Sequence, residues 1–206
     1  MKVFSANYVL PVTAPPISGG AIAFENDRIA AVGTLAEIVG RFPDAAREDF
    51  GEAAIMPGLV NVHSHLELTA MRGFADEFDH DFRSWLIKIS TIRADRLNDQ
   101  DIAVAAGAGA FEGARAGVTC FGDIGRLGEA GLGALIQNGL RGIVFQETEF
   151  SPDSRTAAAD FAKLLGRFES LRERETPLVR VGLSPHAPYT VSTVLFQLIA
   201  DFARAN

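Results

Sequence analysis

The sequence predicts an α/β protein built on a parallel sheet. After Pro57, short apolar segments alternate four times with longer stretches whose apolar residues recur at helical spacing. Before Pro57 the segments are short and rich in β-formers. The chain is globular in composition: of its 206 residues, 48% are hydrophobic and 22% charged, too apolar to stay disordered. Strand followed by helix, repeated, is the pattern of a parallel α/β fold.

The elements follow in order. Residues 3–10 form the first expected strand. Residues 21–24 and 28–32 flank Glu25-Asn26-Asp27, which has hairpin chemistry. Thr34 can cap a short helix through Val39, ended by Gly40 and Pro43. A strand over 53–56 is closed by Pro57-Gly58. Residues 1–57 thus read as a small β-layer without a self-sufficient core. Residues 59–63 form an apolar strand, and 81–97 a helix with Phe82, Trp85, Leu86 and Ile89 on one stripe. Asn98 caps a second, Ala-rich helix with Asp101 in its first turn, ending near Gly117. A strand over 118–121 precedes a helix over 129–138, stopped by Gly139. A strand over 141–146 precedes a helix over 156–174 that buries Phe161, Leu164, Leu165, Phe168 and Leu171. The last strand spans 179–183, and a helix from Ser192 buries Val194, Leu195, Leu198, Ile199 and Phe202.

Charge and composition exclude several classes. Nineteen basic residues stand against 26 acidic, a formal charge of -7, which argues against binding nucleic acid or an anionic membrane by bulk charge. The longest run of apolar and small residues, 102–111, falls short of the roughly 20 a membrane span needs. Pro11, Pro15 and Pro16 interrupt any secretory core, so a cytoplasmic setting is expected. The single cysteine, Cys120, excludes an internal disulfide and any zinc site built on two cysteines. Roughly 150 residues and four strands follow Pro57, where a closed (β/α)₈ barrel takes roughly 250 residues. Either the sheet is open and four-stranded, or the chain is the N-terminal half of something longer.

Two motifs carry chemistry. The first is Pro57-Gly58-Leu59-Val60-Asn61-Val62-His63-Ser64-His65-Leu66-Glu67. Residues i and i+2 of a strand project to one side, so His63 and His65 converge at the C-terminal end of an apolar strand. Two such imidazoles make half of a zinc or iron site; the alternative is two histidines in a surface turn. The second is Ser184-Pro185-His186-Ala187-Pro188-Tyr189, where a strand runs into a histidine between two prolines that stiffen the turn. A rigid His186 there suits substrate contact or stabilisation of developing negative charge; the alternative is a structural histidine in a loop.

Together these segments, with Arg72-Gly73 between them, resemble the amidohydrolase superfamily. More closely they resemble its mononuclear-metal aminohydrolase branch, which holds deaminases of N-heterocycles and triazine hydrolases. The resemblance covers essentially the whole chain. It implies a fold: the first four βα units of a (β/α)₈ TIM-type barrel over residues 58–206, preceded by the N-terminal part of a small β-sandwich domain over 1–57. It implies one divalent metal ion, zinc with iron as the alternative, held by His63 and His65. It implies that His186 is catalytic, contacting substrate and the intermediate formed from it. The family's remaining ligands, a His on the fifth barrel strand and an Asp on the eighth, and its proton-shuttling Glu have no counterpart in these 206 residues. The chain is therefore expected to be the front half of a longer polypeptide and inactive alone. Lys2, Lys88 and Lys163 lie off the expected barrel strands, which favours the branch without a metal-bridging lysine.

The implied activity is hydrolysis of a non-peptide carbon–nitrogen bond, most simply deamination of a purine, pyrimidine, aminodeoxyfutalosine-like or triazine substrate by metal-activated water. Cleavage of a cyclic amide, carbamate or carbon–halogen bond on the same scaffold stays open, as does a non-catalytic fragment. The expected partner is a small molecule, with no nucleic acid or membrane, and a homodimer is compatible with the full-length protein. Ala94 before Asp95-Arg96-Leu97, and Gln146 where adenosine-type relatives carry Arg, lean away from those substrates and toward the aminodeoxyfutalosine type. Glu67, Gln146 and Glu147 are the further substrate-binding candidates, with a solvated loop carboxylate as the alternative for Glu67 and simple polar filling as the alternative for Gln146 and Glu147. One of Gln146 and Glu147 must face the interior. Asp123 reads as a residue just after its strand, supporting others or lying in the turn. Trp85 reads as core rather than lid, His80 between Asp79 and Asp81 as a solvated loop residue, and Cys120 as a small buried hydrophobe.

Overall fold

The computed structural model describes residues 1–74, 76–78, 80–148 and 150–206; Asp79, singled out beside His80, lies outside them. The chain divides into two compact units, Met1–Gly58 and Leu59–Asn206.

The first unit is a five-stranded mixed sheet. Strands β1 (Lys2–Val9), β2 (Ile17–Glu25) and β3 (Arg28–Thr34) pair antiparallel, while β4 (Ala46–Asp49) and β5 (Ala54–Ile55) join β1 in parallel. The β2–β3 turn needs a left-handed residue, and Asn26 supplies it at φ 55°. Helix α1 (Leu35–Arg41) starts at a capping box, in which Thr34 and Glu37 satisfy each other's backbone N–H groups. The helix runs through Gly40 rather than stopping there. Its Ile38 packs with Val3, Ala21 and Ala23 into a small core. Strand β4 was not expected: all four of its residues are exposed, so no alternation marks it in the sequence.

The second unit is an α/β half-turn of parallel strands. Strands β6 (Leu59–Ser64), β7 (Val118–Gly125), β8 (Arg141–Glu147) and β9 (Val179–Ser184) lie side by side in that order, all parallel. Between β6 and β7 run two short 3₁₀ turns, helix α2 (Phe82–Arg96) and helix α3 (Asp99–Arg115). Helices α4 (Gly128–Gln137), α5 (Ala157–Arg172) and α6 (Thr193–Ala205) follow the next strands. Asn98 and Asp101 form a capping box on α3, Asp81 caps α2 and Ser192 caps α6.

The core lies between the sheet and its helices. Phe121, Val144 and Val179 from the strands meet Ala106 and Ala110 of α3, Leu132 and Leu135 of α4, and Leu171 of α5. Helix α3 comes close enough that a Cβ on Gly113 would run into the Phe121 ring. A second cluster joins Leu164 of α5 to Leu195 and Ile199 of α6. Val194 is exposed instead of buried, one position off the buried stripe. Strand β7 runs on to Gly125, past the expected end at 121. This places Asp123 inside the strand, paired in register with Ser64, and brings the following Arg126 to the strand's C-terminal end.

Candidate active site

The site forms where the parallel strands end. His63 is the penultimate residue of β6, and His65 follows the strand directly. Their rings lie 5.1 Å apart, edge to face. His65 Nδ1 lies 2.8 Å from the carbonyl oxygen of Ile124 on β7. A carbonyl can only accept, so Nδ1 carries the proton and Nε2 keeps its lone pair. Burial lowers the pKa of His65, more than its hydrogen bond to Ile124 raises it, which favours the neutral ring. The turn between the histidines is fixed from beneath. Asp123 Oδ1 accepts from the Ser64 hydroxyl at 3.0 Å and from the Leu66 N–H at 2.8 Å. Asp123 is fully buried, and its carboxyl is pushed up to about 6 by burial. It supports the histidine turn rather than lying beyond the strand.

His186 arrives from β9. Its backbone N–H donates to Thr148 Oγ1 at 3.1 Å, and its Nδ1 lies 2.7 Å from Thr190 Oγ1. Thr190 gives its own proton to the Ala187 carbonyl at 3.1 Å. Its oxygen therefore accepts from His186 Nδ1–H, leaving Nε2 as the free nitrogen. Burial first, then Arg126 and His65, lower the His186 pKa. The His186 ring packs edge-on against Phe150 at 5.0 Å, and the guanidinium of Arg126 lies over the same Phe150 at 4.7 Å.

His63, His65 and His186 share one cavity of about 420 Å³ with Glu67, Glu147, Arg93, Arg126 and Ser184, within the usual size for a small-molecule site. Its far wall is the inward stripe of α2, where Phe82, Trp85, Leu86 and Ile89 line the space and the Phe82 and Trp85 rings stack at 5.9 Å. The expectation of core packing for Trp85 is corrected here: the stripe is periodic because it faces a cavity. A larger cleft of about 1090 Å³ shares Arg93 and Arg126 but none of the histidines.

Of the substrate-binding candidates, Glu147 reaches the cavity and Gln146 does not. Gln146 faces the helix layer, as strand parity requires when Glu147 faces in. Its Oε1 accepts from Gly128 N–H at 3.2 Å, and its Nε2 donates to the carbonyls of Arg126 and Glu147. Both ends of the amide are engaged with backbone, so the expected substrate role for Gln146 is withdrawn. Glu147 is buried, with Arg126 Nε 3.8 Å from its carboxylate. Burial pushes its carboxyl up to about 7, against the pull of Arg126. Glu67 lines the cavity but is no solvated loop carboxylate: it is buried, and its Oε2 accepts from Arg93 Nη2 and from Leu127 N–H, each at 3.1 Å.

Arg93, Arg126 and Thr190 were not singled out in the sequence. Arg93 had a signal, since it continues the 82–85–86–89 stripe as a charged residue on an apolar face. Arg126 has none, because the local pattern ends the strand at 121.

A family model described as "Amidohydrolase family" matches residues 54–206. The chain belongs to the amidohydrolase family. A second model, an imidazolonepropionase-like composite domain of bacteria, matches residues 20–45. Among curated relatives, a 5-methylthioadenosine/S-adenosylhomocysteine deaminase of Nitratidesulfovibrio vulgaris is 33% identical over 91% of this chain and 42% of its own length. An aminodeoxyfutalosine deaminase of Deinococcus radiodurans is 34% identical over 90% of this chain and 42% of its own. Among solved structures, a zinc-bound adenosine deaminase from Xanthomonas campestris superposes with a TM-score of 0.82 at 30% identity, over 98% of this chain and 46% of that one. An aminofutalosine deaminase from Helicobacter pylori shares the fold at a TM-score of 0.87 and 19% identity, over 100% of this chain and 48% of that one. This amidohydrolase chain thus spans less than half the length of the relatives it matches.

Proposed function

We propose that the chain supplies the first half of a metal-dependent hydrolase that deaminates an N-heterocyclic small molecule: a purine, pyrimidine, aminodeoxyfutalosine-like compound or triazine. The observation that carries the reading is the convergence of His63, His65 and His186 on one cavity at the C-terminal ends of parallel strands, where α/β barrels build active sites. Support also comes from the deaminase activities named for relatives above 30% identity. Those activities come at 33% and 34% identity, so identity does not choose between them. The same reading takes residues 58–206 as the first four βα units of the barrel and 1–57 as one part of a small β-sandwich.

The donor set suits one divalent ion, zinc as in the Xanthomonas relative, with iron as the alternative. His63 and His65 would hold it, and the His65–Ile124 bond fixes the tautomer a ligand needs. Among the described residues no group of three or more His, Cys, Asp and Glu could hold a metal ion, so these two supply part of its coordination. When bound, such an ion lowers the pKa of water toward neutrality and so furnishes the nucleophile. The chain's own residues do the rest. Phe82 and Trp85 offer a flat apolar wall for the heterocycle. His186 presents Nε2 to the reacting end, its ring held by Thr190 and Phe150. Glu147, with its carboxyl near 7, can hold a proton at its carboxylate or release one to a ring nitrogen near neutral pH. Glu67 touches the same cavity from its bond to Arg93. The substrate is a small molecule rather than nucleic acid, in keeping with the charge of -7, and no helix among the described residues is long and apolar enough to cross a membrane.

The test uses the complete polypeptide. His63→Ala and His65→Ala should each lose bound metal and lower ammonia release from the preferred purine, pyrimidine or triazine by at least about a thousandfold. Undiminished ammonia release from a variant stripped of metal would end the reading.

A further inference from the structure

Helix α2 carries one wall of the cavity yet is weakly anchored. Ile89 is its one buried residue, and Phe82 is 62% exposed. The inward stripe of Phe82, Trp85, Leu86 and Ile89 ends in a charge, Arg93, whose side chain is only 17% exposed. Arg93 Nη2 donates to Glu67 Oε2 at 3.1 Å, and that oxygen also accepts the N–H of Leu127, the residue that opens α4. Glu67 stands two residues past His65. One carboxylate oxygen thus joins α2, the paired-histidine turn and the start of α4. Arg93 Nε is buried without a hydrogen-bond partner; among the described residues Glu67 is the carboxylate the guanidinium bonds, while Glu147 feels its charge without a bond. An apolar residue at 93 could fill the same space, but only a charged, hydrogen-bonded pair sets one position of α2 along the turn.

We propose that Arg93 is a positioning residue: its ion pair with Glu67 holds α2, and with it Phe82 and Trp85, against the paired-histidine turn so that the aromatic wall stands at a fixed distance from the reacting end of the cavity. The inference rests on the reading of this cavity as the substrate site.

Trp85 is the chain's single tryptophan, so its fluorescence reports the placement of α2 without any turnover. In the complete protein its signal is isolated by difference from a Trp85→Phe variant. Arg93→Met should raise acrylamide quenching of Trp85 at least about twofold, and Arg93→Lys, which keeps the charge but loses the fork, should fall between it and the parent. Glu67→Gln should match Arg93→Met, and the double variant should quench no more than either alone. With substrate, Arg93→Lys should raise KM about tenfold while kcat falls less than about threefold. If Arg93→Met does not fold, Arg93→Lys and Glu67→Gln carry the test. A lowered melting temperature with unchanged Trp85 quenching in those two variants would reduce the pair to a stability contact and overturn the proposal. A parent protein without ammonia release would sink the proposed function instead, while the quenching comparison still decides the role of Arg93.

Discussion

The two faces of the parallel sheet treat polar side chains in opposite ways. On the helix-covered face, Asp123 and Gln146 are buried and every hydrogen bond they make goes to the turn or backbone beside them. On the cavity face, Glu147 is also buried, but among the described residues its carboxylate pairs with Arg126 at 3.8 Å, with the charge of Arg93 acting from farther off. Its neighbour in sequence, Gln146, is saturated by backbone; the carboxylate of Glu147 lines the cavity, where it is open to a ligand's hydrogen bond. The contrast separates polar residues that hold the strands' ends from those that face what the cavity binds.

The largest effect expected from this contrast is in pH. Burial raises the Glu147 carboxyl from its ordinary 4.5 to about 7. The native state therefore favours the protonated form. Its contribution to stability is fully present below 4.5 and is lost as pH rises through about 7. Over that window the loss amounts to about 3 kcal/mol. Glu147→Gln should remove it, so urea unfolding of the metal-free protein at pH 5 and pH 8 should differ less in the variant than in the parent by about that amount. Equal pH dependence in the two proteins would show that Glu147 is ionised without penalty. On the other face, Gln146→Leu strands the Gly128 N–H and two carbonyls, and should cost about 2 kcal/mol of stability while KM moves less than about threefold. A tenfold rise in KM with an unchanged melting temperature would return Gln146 to the cavity and undo the contrast.

Much of this arrangement was legible in the sequence because it rests on period and caps. The four βα alternations, the caps at Thr34 and Asn98, the helix starts at Asp81 and Ser192, and the paired histidines all follow from local rules. What was not legible depends on contacts between distant segments. Parity says that one of Gln146 and Glu147 faces inward, but choosing between them needs the helix start at Gly128 that Gln146 satisfies. The spacing of Trp85 predicts core because periodicity reports an apolar face without saying whether that face meets packing or a cavity. The sequence predicts β7 four residues short because Gly122, Asp123 and Gly125 are poor β-formers; Asp123 stays extended because Ser64 and the Leu66 N–H bond it there. Strand β4, exposed along its length, carries no hydrophobic signal at all.

The smallest effect belongs to a residue that serves the cavity face without lining it. Thr190 accepts from His186 Nδ1 and donates to the Ala187 carbonyl, so it sets which imidazole nitrogen faces the cavity. Thr190→Val keeps the shape and removes the acceptor. The Nδ1–H then loses its partner in a half-buried site, and the ring is free to exchange tautomer or rotate against Phe150. The penalty is that of one hydrogen bond, about 1 kcal/mol, or a fall of roughly fivefold in kcat/KM. Thr190→Ser retains the hydroxyl and should recover most of the loss, which a role confined to packing would not produce, since serine gives up the methyl that valine keeps. Steady-state kinetics of the two variants side by side decide it: a valine variant as active as the parent would mean that the orientation of His186 is fixed by Phe150 and the Thr148 hydroxyl alone.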